Sequence, residues 1–208
     1  MASVLDSNAL VSWTIAKTYL EEASTDNQNY LERLVNAASK IANQVTGRQL
    51  KARTYTAYLD APFSSRLRLP EYPVHVITSL NDDENRAWTS TDTAWSSTEY
   101  KLDGDAGIVR LYDDTFSGGI GTLKAVYNAG YGTTATGSTV SESTVVPWDL
   151  QLAILETVRW QWQRFAASGA GIGVRSKSAE GVNVGMEITI PLHAMKVIEG
   201  YKRREYRS

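Results

Sequence analysis

An α+β fold, a small helical bundle carrying an inserted antiparallel β region, is predicted by two changes of hydrophobic period along the chain. Apolar residues recur at three- and four-residue steps up to Gly47, give way to β-branched and alternating runs between Lys51 and Tyr127, and return to the helical period at Pro147. Connections within the middle region are too short for helical crossovers, so its strands pair antiparallel. With 208 residues the chain is long enough to bury a sizeable core. The expected organisation is a single domain over 1–208, with a helical core at 12–50 and 147–204, a β insertion at about 51–128 and a flexible loop at 128–144.

Ser12 is the N-cap expected for a short helix from Trp13 to about Glu22. Thr25 and Gln28 have the spacing of a capping box before a second helix, in which Leu31, Leu34, Val35, Ala38, Ile41, Ala42 and Val45 hold one stripe. Gly47 supplies the left-handed residue that closes it. Strands are expected at Arg53–Leu59, Arg66–Leu69, Val74–Leu80, Tyr100–Leu102, Ile108–Tyr112 and Leu123–Tyr127, following one another as a meander. The glycine-, serine- and threonine-rich run Asn128–Thr144 reads as a mobile linker.

The stretch Val145–Ser168 is the helix around which the rest is organised. Pro147 opens it, where the missing N–H of proline costs nothing. Leu150, Ile154, Val158, Trp162 and Phe165 form one stripe, while Trp148, Leu152 and Leu155 form a second apolar edge. A helix apolar on two edges is expected to pack on both sides, so Trp148, Leu152, Leu155, Trp160 and Trp162 are candidates for the core or a subunit contact. A glycine-rich patch follows at Ser168–Gly173. Val182–Ile190 is expected to form a hairpin arm, and Pro191 starts a last helix with Leu192, Met195 and Ile198 on one stripe.

Net charge is −2, which gives no general footprint for nucleic acid. The charge is segregated: the first 200 residues carry 17 basic and 22 acidic side chains, whereas the last eight carry Lys202, Arg203, Arg204 and Arg207 against Glu205. Having no cysteine, the chain has no disulfide, thiolate metal site or cysteine nucleophile. No apolar run is long enough to cross a membrane, and the first residues lack a signal-peptide pattern, so folding in a cytoplasm is expected.

No catalytic, cofactor or metal site is expected. His75 and His193 have no second histidine or carboxylate at ligand spacing. Asp82, Asp83, Glu84, Asp103 and Asp105 lack the full ligand pattern of a calcium loop and read as solvated turns. Gly169, Gly171 and Gly173 follow a helix instead of opening one, which is the wrong setting for a phosphate cradle. Trp88 and Trp95 sit among serines and threonines, where they either cover a sheet edge or offer a stacking platform for a carbohydrate or protein partner. Beyond such a binding module, a hydrolase would need His75 or His193.

Five blocks in order, VTGRQL (Val45–Leu50), LPEYPVHVITSL (Leu69–Leu80), KAVYNAGY (Lys124–Tyr131), VPWDLQLAILETVRWQWQ (Val146–Gln163) and IPLHAMKVIEGYKRR (Ile190–Arg204), resemble the head-tail connector proteins of tailed bacteriophages. The resemblance spans nearly the whole chain, although the β region and the 128–144 loop are long for the family. It implies a non-enzymatic virion protein of the neck, assembled in the host cytoplasm as a ring of twelve copies. Its implied partners are the portal above, a stopper or tail-completion protein below, and packaged double-stranded DNA passing without sequence-specific contact, with no membrane. It also implies that Tyr201, Lys202, Arg203, Arg204, Tyr206 and Arg207 dock on the portal. Tyrosine and arginine are common interface anchors, which supports that assignment independently.

Overall fold

The computed structural model describes residues 5–22, 25–88, 94–132, 146–167, 178–179, 182–183 and 190–202, with side chains for all of these except 164–167, 178–179 and 182–183. The chain divides into two compact units, Met1–Leu50 with Val146–Ser208, and Lys51–Val145.

The first unit is helical. Helix α1 spans Trp13–Tyr19, and Ser12 caps it by accepting the Ile15 N–H at 3.2 Å. It stops at Tyr19, short of the expected Glu22, and Glu21 then takes a positive φ of 56°. Helix α2 spans Gln28–Thr46 and ends on Gly47 at φ 65°. The expected capping box does not form. Asn27 occupies the N-cap, and the Gln28 amide reaches forward to Glu32 Oε1 at 2.9 Å, one turn along its own helix. Leu31, Leu34, Val35, Ala38 and Ala42 make the buried stripe of α2. Helix α3 spans Trp148–Ala167 and α4 spans Leu192–Glu199, with α3 packed against both α2 and α4. Leu150, Ala153, Ile154 and Val158 from α3 meet this core, and Ala194 and Ile198 supply the buried side of α4. Thr46 and Thr157 are buried polar groups, and each donates its hydroxyl to the carbonyl four residues back at 2.8 Å.

The second unit is antiparallel β throughout its named strands. Strands β1 (Arg53–Ala61), β3 (Val74–Asp82) and β6 (Gly119–Ala129) form one sheet in the order β1-β6-β3. Strands β2 (Arg66–Arg68), β4 (Tyr100–Asp103) and β5 (Ile108–Leu111) form another in the order β2-β5-β4. The strands expected from sequence are present, but they do not run as a meander. The last long strand, β6, inserts between β1 and β3 and bonds to both. Asn128 and Ala129, assigned to the linker from composition, are paired strand residues opposite Thr54 and Arg53. One apolar cluster from both sheets includes Leu67, Leu69, Leu80, Val109, Leu111, Phe116, Leu123 and Tyr127. Tyr127 is fully buried, and its hydroxyl accepts the Glu71 N–H at 3.3 Å.

Strands β7 (Ser178–Ala179) and β8 (Val182–Asn183) pair with each other. The rest of the expected hairpin arm, the glycine patch at 168–173 and most of the 128–144 linker lie outside the described residues.

Candidate assembly surfaces

Helix α3 exposes one side and buries the opposite one. At 100° per residue, Trp148, Leu152 and Arg159 fall within a narrow arc opposite Ile154, and all three are exposed, Trp148 to 81% and Leu152 to 42%. Leu155 borders this arc and is buried, so it belongs to the core of its own chain. Trp162 lies on the flank toward α2, with its ring 5.7 Å from that of Tyr30. Trp160 is half-buried. Of the five side chains assigned to a subunit contact from sequence, the structure therefore places Trp148 and Leu152 outward, buries Leu155, and holds Trp160 and Trp162 half-buried. The helical period shows that two apolar edges exist; only packing decides which of them is covered.

The acids of α3 turn toward α4. Tyr201 donates its hydroxyl to Asp149 Oδ1 at 2.7 Å, and His193 Nδ1 lies 3.2 Å from Glu156 Oε2, so α3 and α4 run antiparallel. The histidine has its carboxylate after all, 37 residues away along the chain, where sequence spacing could not find it. Its imidazole is largely exposed, and no nucleophile or second ligand joins it among the described residues. His75 approaches the Gly130 carbonyl at 2.7 Å.

The start of the basic segment is clamped. Arg48, buried just past the end of α2, donates from its guanidinium to the Tyr201 carbonyl at 3.1 Å. Together with the Asp149 bond this fixes both the main chain and the ring of Tyr201. Lys202 folds back onto Glu199 at 3.1 Å. Arg203, Arg204, Tyr206 and Arg207 lie outside the described residues. Arg48 was not singled out from sequence, and a charged residue after a helix-ending glycine carries no mark that it will be buried.

The two tryptophans of the alternative reading do not form one platform. Trp95 packs against the β core, in edge contact with Phe116 at 6.0 Å. The Trp88 ring lies 4.8 Å from that of Tyr58, tilted by 53°, and donates its indole N–H to the Thr122 carbonyl at 3.2 Å. It is held by Asp83, whose Oδ2 accepts the N–H groups of Trp88 and Ala87 and whose Oδ1 accepts that of Asn85. These bonds, the one from Trp88 foremost, hold the Asp83 carboxyl below the usual aspartate range. Asp82 accepts from Ser117 and Asp103 from Ala106, so these carboxylates brace loops.

A model of the family described as Head completion protein matches residues 9–204. The chain belongs to the head completion protein family. No curated protein sequence matches it. Among solved structures, this head completion protein is similar to a chain in the neck of an empty GTA particle, computed with C6 symmetry, at 17% identity and a TM-score of 0.59, covering 99% of this chain and 95% of the other. It is also similar to a chain in the neck of a native GTA particle, computed with C12 symmetry, at 18% identity and a TM-score of 0.55, covering 99% and 94%. A chain from the virion of a native gene transfer agent particle matches at 18% identity with a TM-score of 0.56. Likeness at that identity carries the fold, and the family match carries the role of a head-tail connector component. No helix among the described residues is long and apolar enough to cross a membrane.

Proposed function

We propose that this head completion protein works as an adaptor ring of twelve identical copies beneath the portal, extending the DNA channel toward a stopper or tail-completion protein, with no catalytic activity of its own. It would assemble in the host cytoplasm and remain in the virion neck. The observation that supports this reading best is the α3 stripe: a tryptophan, a leucine and an arginine held outward on a rigid helix whose opposite side is core. Tryptophan and arginine are common interface anchors, and an exposed tryptophan and leucine side by side form an apolar patch suited to a contact. The segment beyond Lys202 is the portal arm of this proposal. Modest contacts repeated around a ring add up through avidity, so a short basic arm suffices. Packaged DNA passes through without sequence-selective contact, consistent with a chain whose first 200 residues sum to −5. Imaging of particle necks carrying a labelled copy tests the reading. A ring of density next to the portal is expected, and label found on tail fibres or absent from the particle would refute it.

A further inference from the structure

The β unit carries an apolar tip that is built more firmly than exposure alone would require. Phe63, in the turn between β1 and β2, is 87% exposed, and Ile120, near the start of β6, is 78% exposed. Three polar side chains fix the backbone around them. Asp60 accepts the Gly121 N–H at 2.8 Å, Asp82 accepts the Ser117 N–H at 2.7 Å, and Arg86 donates twice to the Ile120 carbonyl, at 3.0 and 2.9 Å. Gly118, at φ 76°, lies under the Phe63 ring, where a Cβ would overlap the ring atoms. Fixing a loop that presents two large apolar side chains to water is preorganisation for a contact.

The geometry points to a second copy of this chain as the occupant: we propose that the Phe63–Ile120 tip of one copy seats against the Trp148–Leu152 stripe of its neighbour. This rests on the ring reading and supplies its missing half. A ring of more than two copies closes through heterologous contacts, so each copy must carry two different faces that fit each other. Among the described residues, Trp148 at 81% is the most exposed large apolar side chain of the helical unit, and Phe63 at 87% and Ile120 at 78% are the most exposed of the β unit. One charge pairing across the proposed contact is complementary. Arg159 stands exposed on the α3 stripe, about 10 Å along the helix from Leu152. Asp113 and Asp114 stand exposed in the loop from β5 that reaches the tip, where Phe116 N–H bonds the Ser64 carbonyl. The two patches supply an apolar centre with a polar rim, the usual anatomy of a specific contact.

Because the chain has no cysteine, introduced thiols report this contact without background. Ser65→Cys, two residues from Phe63, and Leu152→Cys are placed singly and together, and assembled particle necks are treated with a short bismaleimide. The double variant should give a ladder of linked oligomers, and neither single variant should give a dimer. A dimer from either single variant would show like faces meeting like and overturn the pairing. A full ring in the neck with no ladder, or with the thiol at 65 linked to a different neck protein, would also overturn it while leaving the ring standing. A neck lacking any ring of this chain would sink the adaptor reading itself. Phe63→Asp gives a second readout. Its ring rests on Gly118 and is otherwise open to solvent, so the melting temperature should change little while neck occupancy falls at least tenfold; unchanged occupancy would refute the contact.

Discussion

Asp83 shows how a residue that reads as a solvated turn becomes structural. Its two carboxylate oxygens take three backbone N–H groups and thereby set the path of the loop that delivers Trp88 onto Tyr58. With its pKa lowered in the folded chain, Asp83 contributes stability above the unfolded aspartate range, and that contribution is lost as pH falls through the depressed folded value. The Trp88 emission should therefore hold through the ordinary aspartate range and change only at lower pH. Asp83→Asn, which turns an amide N–H₂ toward N–H donors, should show the changed emission already at neutral pH; an identical spectrum would contradict this role. At Tyr201 the expectation is smaller. Tyr201→Phe and Asp149→Ala should each cost at most about 1 kcal/mol, and a double-mutant cycle should find the two effects coupled.

Helix α3 carries a buried side and, in the proposed ring, an assembly side. Ile154 is fully buried, and Ile154→Ala should destabilise the fold by about 3 kcal/mol in urea unfolding. Trp148→Ser, on the outward stripe, should leave the unfolding midpoint within error yet weaken self-association, read by native mass measurement or neck occupancy. Equal destabilisation by both changes would mean that Trp148 is core after all. The period of the helix was legible from sequence, as were the Ser12 cap and the Gly47 stop, because each depends on neighbours within one turn. The supposed capping box at Thr25 failed for the same local reason, since Gln28 had Glu32 within reach one turn ahead.

At the scale of the molecule, the clamp on Tyr201 decides which truncation is informative. Cutting after Gly200 removes the Tyr201 carbonyl from a buried guanidinium and should cost about 1–3 kcal/mol. Cutting after Lys202 keeps the clamp and removes only the proposed arm. The chain ending at Lys202 should melt like the full chain but fail to stay on portal-bearing heads, measured as neck occupancy. Full occupancy would move the anchor from the arm to the faces of the ring.

The sequence by itself determined where helix gives way to strand at Gly47 and where helix returns at Pro147, because hydrophobic period and turn chemistry are local properties of the chain. It also carried the ordered blocks that mark the family. Tertiary structure alone decided the insertion of β6 between β1 and β3, which joins residues 41 (Asp82 and Leu123) to 76 (Arg53 and Ala129) positions apart and is selected by the shared burial of Tyr127, Leu123 and Leu80. It decided which apolar edge of α3 is covered, since α2 and α4 reach it from distant parts of the chain. The tip at Phe63 and Ile120 was hidden for a related reason. A phenylalanine after proline and an isoleucine between glycines look like strays in two turns, and only the folded β unit brings those turns to one place.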